Sequence, residues 1–262
     1  VLDLERLDRD LFRGVNAITA RERPALFGGQ VAAQALVAAG LTVPVGRLPH
    51  SLHGYFLRPG LTDRPVILQV ARDRDGRSFS ARHVAAVQDG EVIFSMLASF
   101  HAGQEAGRLD QVDRREVPPP EVCEPLENGL LLEIRQVTRT EVVDGRQLYS
   151  DCLWVRPTGS LPADPLAHAG ALTYMSDLGT GFGRVADAML GTGGPSLDHA
   201  LWFHEPIPAD QWVLLHMWPA KAISARGVYH GAMRDADGHL GVLVAQEHLL
   251  RPSRAVLRRD GR

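Results

Sequence analysis

Lysine is almost missing from this chain: of 28 basic residues only Lys221 is not an arginine. The net charge is −3, so no excess of positive charge marks a nucleic-acid-binding protein. Cysteine is equally scarce. Cys123 and Cys152 cannot build a disulfide framework, and neither stands in a CxxC motif, so a reducing, cytoplasmic setting is the expectation. No apolar run approaches the roughly 18 residues of a membrane-spanning helix. The opening "VLDLERLDRDLFRG" is charged and lacks the apolar centre of a signal peptide, and "RRDGR" matches no lipidation or sorting tripeptide. GxSxG does not occur, which excludes the nucleophile elbow of an α/β-hydrolase. What is there is a globular composition, 45% hydrophobic and 23% charged over 262 residues, enough for one large domain or two ordinary ones.

Two segments read as helices. Residues 26–43, "LFGGQVAAQALVAAGLTV", are rich in Ala and Leu after a Gly-Gly entry. Residues 164–180 begin with Asp164, a good N-cap, and Pro165, which suits the first helical position. Behind the first, alternating or β-branched runs predict strands near 49–58, 64–73, 78–88 and 91–101; behind the second, near 199–206, 211–219, 222–234 and 239–250. Asp89-Gly90 and Asp237-Gly238 stand at matching hairpin positions. Further strands are expected before each helix, near 10–18 and 146–156.

The halves repeat. Phe56 in "SLHGYFLRP" and Phe203 in "HALWFHEP" lie 147 apart, as do Ala98 and Ala245, while "SARHV" at 80–84 matches "SARGV" at 224–228. The pattern predicts an α+β fold made of one unit used twice, each copy a long helix laid on an antiparallel sheet. The copies span 1–101 and 130–252, with a polar, proline-bearing linker at 102–129 and a tail at 253–262.

In "GALTYMSDLGTGFG" Asp177 is a lone carboxylate among small and apolar residues, and such a group has either a structural partner or a task. Capping a neighbouring loop and doing chemistry are equally open on that stretch alone. The first helix has no acidic residue, however, and a purely structural need should appear in both copies. Ser196, just ahead of a strand, and Gln246, inside one where the first copy has Ser99, are the other oddly placed polar residues; a buried Ser or Gln ordinarily satisfies backbone groups. Histidine pairs such as His50/His53 and His199/His204 have odd separations that aim them to different sides of a strand or its end, so no metal is expected. "GTGFG" at 179–183 follows a helix, which is the wrong context for a dinucleotide loop. Arg58, Arg77, Arg82 and Arg226 have the fork geometry for phosphate, with ion pairing as the plainer role for each.

"LFGGQVAAQAL", "HSLHGYFLRPG", "RDGRSFSARHVAAVQDGEVIFSMLASF", "YMSDL", "DHALWFHEP", "SARG" and "VAQEHL" together resemble the TesB-like type II acyl-CoA thioesterases, collinearly from about residue 11 to 252. The resemblance implies a tandem (double) hotdog fold and hydrolysis of fatty acyl-CoA to free acid and coenzyme A, within a dimer or higher homo-oligomer. It implies a water held by Asp177, Ser196 and Gln246, with serine where the family commonly has threonine. The Gly28-Gly29 entry is a candidate oxyanion site, and the four arginines are candidates for the coenzyme A phosphates. Coenzyme A is part of the substrate, and no cofactor is expected. A hotdog hydratase or dehydratase would want a histidine beside the acid, and His168 is more than two turns from Asp177; a non-catalytic acyl-CoA binder would not need the water-holding trio.

Overall fold

Side chains alternate between buried and accessible along most of the expected strands, which is what a sheet with one face on a core requires. The structure, a computed structural model, describes residues 1–16, 25–104, 107–137, 140–143, 146–149, 152–178 and 192–251. The glycine-rich stretch 179–183 and the tail 253–262 lie outside the described residues.

In the first half β1 (Glu5–Asp8) and β2 (Leu11–Gly14) precede α1 (Gly28–Gly40), then β3 (Leu48–Phe56), β4 (Val66–Asp75), β5 (Phe79–Gln88) and β6 (Glu91–His101). The second half has β7 (Glu124–Pro125), β8 (Leu132–Val137), β9 (Thr140–Val143), β10 (Arg146–Tyr149) and β11 (Cys152–Pro157) before α2 (Pro165–Ser176). After it come β12 (Thr192–Ser196), β13 (Asp198–Phe203), β14 (Val213–Ile223), β15 (Arg226–Arg234) and β16 (Leu240–Arg251). The eight strands expected behind the helices are present. The strand expected near 10–18 is β2, with β1 an additional strand before it, and that near 146–156 is broken in two. β10 leaves the main sheet to pair only with β9, while β11 stays within it. Among the described residues no helix is long and apolar enough to cross a membrane.

The main sheet runs β1-β2-β4-β5-β6-β3-β13-β16-β15-β14-β11-β8-β7. Read outward from the β3–β13 pair, both sides place their strands in the same order, so the repeat seen in sequence is also a repeat in topology. At the seam Leu201 opposes Leu52 and His199 opposes Gly54, pairs that exchange under the 147-residue offset. Both helices lie on the inner face. In α1 every residue from Gly29 to Ala39 is buried, and five of them are alanine, small enough for the helix to touch the sheet and α2 together. Asp164 accepts from Leu166 N at 3.1 Å and caps α2 as expected, with Pro165 at the first helical position. α1 has no such local cap.

The expected linker is not a free strap. β7 adds to the sheet edge on β8, Trp154 Nε1 donates to the Pro118 carbonyl at 2.9 Å, and Arg234 reaches across to Asp110 at 2.7 Å. The Arg234 hydrogen bond is the main influence holding the Asp110 carboxyl below its ordinary value. Arg156 does the same for Glu133 and Arg72 for Asp10, while Asp75 is lowered first by Ser80 and then by Arg82. A carboxylate depressed in the folded state lends stability above its unfolded pKa and loses it as pH falls through the folded value. The melting temperature should therefore hold from pH 7 to 5 on this account and drop below about pH 4. Asp110→Asn should lower it at pH 7 and make the acid decline shallower; an equally steep decline in the variant would remove Asp110 from that role.

A second test concerns how closely the helices meet. A Cβ on Gly29 would lie 2.4 Å from the Tyr174 carbonyl oxygen and 2.6 Å from the Phe27 ring. Helix propensity favours Gly29→Ala by about 1 kcal/mol, but overpacking against backbone costs about 1–3 kcal/mol. The expected outcome is a net loss of stability, read by denaturant unfolding; a gain would mean the helices have room to separate.

Candidate active site

The cap that α1 lacks comes from the other half of the chain. Asp177 follows the last residue of α2, and its Oδ2 accepts the Gly29 amide hydrogen at 2.8 Å. The first turn of a helix presents unsatisfied amides and partial positive charge, so a carboxylate there is stabilised without a basic side chain. Glycine permits the approach. A Cβ on Gly28 would stand 2.7 Å from Asp177 Oδ2 and 3.0 Å from the Phe56 ring. The helix was expected to continue to residue 180; it ends at Ser176, which frees the Asp177 side chain to turn toward α1.

The other carboxylate oxygen gathers the remaining two expected residues. Gln246 Nε2 donates to Asp177 Oδ1 at 2.7 Å, and Ser196 Oγ donates to the same oxygen at 3.2 Å. Gln246 Nε2 also bonds the Ser196 hydroxyl. Asp177, Ser196 and Gln246 come from α2's exit, β12 and β16, and only the fold brings them together.

Behind Gln246 lies a layer that sequence reasoning did not assign to the site. His199 Nδ1 and Tyr229 Oη each lie 2.6 Å from Gln246 Oε1. An amide oxygen only accepts, so both groups donate to it. The other ring nitrogen of His199 meets Ser176 Oγ at 2.7 Å. His199 and Tyr229 have no exposed surface, and burial holds the imidazole below its ordinary pKa, against the opposing pull of Asp177 and then of Gln246. The signal of His199 in sequence was its position two residues before Leu201 in a strand, facing inward, but it was weighed only as a metal ligand. Thr173, which shares a helical face with Asp177, spends its hydroxyl on the Ala169 carbonyl at 2.8 Å.

The arginines separate. Arg82 is wholly buried and bound to Asp75, Thr42 and the carbonyls of Arg74 and Ala81, so it cannot meet a phosphate. Its partner Asp75 explains the burial: a charge in the interior needs both an ion pair and full hydrogen bonding. Arg77 is exposed but precedes Phe79, which sits in register with His101 and so with Leu48, the end of β3 away from Phe56 and the site. Arg58 and Arg226 are half exposed, pair with Glu91 and Glu247, and stand at the site's end of the sheet. The Gly29 amide, expected to be open to an oxyanion, is instead bonded to Asp177.

Models of the acyl-CoA thioesterase N-terminal and C-terminal domains match residues 19–101 and 107–250. Human acyl-coenzyme A thioesterase 8 is 36% identical over 294 aligned residues, covering 96% of this chain and 88% of its own. Acyl-CoA thioesterase II TesB2 from Mycobacterium marinum superposes with a TM-score of 0.81 at 39% identity, over 97% of this chain and 96% of that one. A hot dog fold protein from Alicyclobacillus acidocaldarius matches at TM-score 0.77 and 21% identity, over 95% and 96% of the two chains, a likeness of fold alone. With both halves matched in order and a relative aligned over nearly its full length, the chain belongs to the acyl-CoA thioesterase family and is a thioester hydrolase.

Proposed function

We propose that this enzyme hydrolyses fatty acyl-CoA with a water held by Asp177, Ser196 and Gln246, on a tandem hotdog scaffold. The observation that carries this is the convergence of Ser196 and Gln246 on Asp177 Oδ1 while Gly29 fixes Oδ2. A carboxylate so oriented can take a proton from a water that the hydroxyl and amide position. The water oxygen attacks the thioester carbonyl carbon as its proton passes to Asp177. The tetrahedral oxyanion then collapses, the C–S bond breaks, and the departing thiolate recovers the proton as coenzyme A thiol. No cofactor enters this sequence. With Gly29 engaged, the Gly28 amide in the same first turn is the candidate donor to the oxyanion.

For the acyl chain, a cavity of about 740 Å³ follows the two helices, lined by Val37, Leu41, Leu132, Leu166, Ala171 and Tyr174. Tyr174 stands one turn before Asp177 and packs edge-on to Phe27, centroids 5.1 Å apart, so this end of the cavity adjoins the site. Arg58 and Arg226 are the remaining candidates for the coenzyme A phosphates. On the outer face of the sheet Tyr55, Leu97 and Trp202 are exposed across neighbouring strands, a surface suited to another copy of the chain. Both cysteines are buried and neither is in a disulfide, which suits a reducing compartment such as the cytoplasm.

The hydratase alternative is weakened by His199, because both ring nitrogens are engaged and neither is offered to substrate. Free-thiol release should be measured across short, medium and long acyl-CoAs for wild type, Asp177→Asn and Asp177→Ala. Both variants should lose at least about 100-fold in kcat. Asn can still accept the Gly29 amide, so Asp177→Ala alone should lose about 1 kcal/mol of stability. Full hydrolysis by Asp177→Asn would confine the residue to capping. Stabilisation by acyl-CoA without thiol release in wild type would identify a binding module.

A further inference from the structure

A glutamine amide has two ends of nearly equal size and opposite character, and only one serves this site. If Gln246 turned over about its last bond, a carbonyl oxygen would face the Asp177 carboxylate and the Ser196 hydroxyl would lose its NH₂ partner. The Asp177 carboxylate opposes this, since two acceptor oxygens would then meet where Gln246 Nε2 now donates at 2.7 Å. The groups on the far side hold the other end of the same amide.

Tyr229 and His199 flank Gln246 on adjacent strands. Tyr229 is directly opposite it in the β15–β16 register, and His199 lies one step beyond the Ala200–Ala245 pair between β13 and β16. All three face the core, with Gln246 only 1% exposed. The Tyr229 hydroxyl can donate or accept, so by itself it tolerates either orientation. An imidazole nitrogen that carries hydrogen is different, because it can only donate. Ser176 Oγ lies 2.7 Å from Nε2 and also 2.9 Å from the Thr173 carbonyl. Gln246 Oε1 only accepts, so Nδ1, 2.6 Å away, carries hydrogen and donates to it.

We propose that His199 is a positioning residue, which with Tyr229 holds Gln246 in the one orientation that directs its NH₂ at Asp177 and Ser196. His199 does not touch substrate; it acts through the amide. The end of α2 delivers two things to the site, the Asp177 carboxylate and, one residue earlier, a hydroxyl that meets the far nitrogen of the ring. The charged groups facing the ring are Asp177 and Asp198, both of which favour retention of ring hydrogen.

The inference rests on the role given to Gln246, and the experiment separates the two. Thiol release and melting temperature should be measured for Gln246→Ala, His199→Leu, His199→Asn, Tyr229→Phe and the His199→Leu/Gln246→Ala double variant. Loss of one buried donor should lower kcat about tenfold or more in His199→Leu, with KM changed less than about threefold because substrate contacts remain. The asparagine Nδ2 can stand near the position of Nδ1, so His199→Asn should recover most of the lost rate. In the Gln246→Ala background His199→Leu should have no further effect on kcat. A multiplicative loss in the double variant, or a folded His199→Asn no better than His199→Leu, would overturn the proposal. If Gln246→Ala is fully active, the reading of the site fails instead. Should His199→Leu not fold, the same cycle is run with Tyr229→Phe: a kcat loss that disappears in the Gln246→Ala background supports orientation through the amide. A loss that persists there, or no loss, overturns it.

Discussion

A carboxylate crossing from one half of the chain to the first turn of the other half's helix is the interaction on which the site depends. α1 begins without a cap from its own N-cap side chain and with two glycines, which let a distant group approach its first-turn amides. Asp177 meets them from the end of α2. The two roles that the sequence left equally open, cap and chemical group, are compatible because a carboxylate has two oxygens. Oδ2 is engaged by backbone, and Oδ1 is turned to Ser196 and Gln246. The cap thereby fixes the direction in which the second oxygen points.

Duplication explains why such a cap could arise and why it arose once. Under the approximate twofold relation between the halves, each helix start lies against the end of the other helix. At the second junction α2 carries its own cap in Asp164, and Gly40 of α1 meets the Leu166 side chain, with a Cβ there only 2.4 Å from Leu166 Cδ1. That junction is closed by packing. The sheet shows the same divergence. His199, Gln246 and Tyr229 form a row across three strands, and the row in the first half is Leu52, Ala98 and Arg82. Arg82 is committed to Asp75 and Thr42 there. One half therefore keeps a polar row facing the helices, and the other keeps a small apolar centre with a structural ion pair at its side.

The sequence comparison matched Gln246 to Ser99, and the structure moves the match by one residue. Phe56 pairs with Phe94 whereas Phe203 pairs with Val242, so β16 is offset from β6 by 148 residues and not 147. A one-residue shift in a strand exchanges its faces. Ser99 points to the side where His50 bonds it at 2.7 Å, and Ala98 is the inward residue. The helices, the eight long strands and the repeat were legible because periodicity and turn residues are local signals. Asp177, Ser196 and Gln246 were legible as polar residues out of place. The roles of His199, Tyr229 and the Gly29 amide, the last expected at an oxyanion, were not, since they depend on what these groups face across strands and between halves. The single strand expected at 146–156 failed for a related reason: β-propensity continues through the segment, while the sheet takes up only β11.

Serine at position 196 follows from the same geometry. Threonine's methyl restricts χ1, which is one way to aim a hydroxyl at a water. Here the hydroxyl is aimed by hydrogen bonds, receiving one from Gln246 Nε2 and giving one to Asp177 Oδ1. β12 holds the backbone as well, with Ser196 opposite His248. Two partners on either side of one oxygen fix a rotamer as a methyl would, provided the partners are themselves fixed. Asp177 is fixed by Gly29, and Gln246 by the buried layer behind it. If the site works as proposed, rigidity one layer out does for Ser196 what a methyl does for threonine, and it rests on a Gln246 held by His199 and Tyr229.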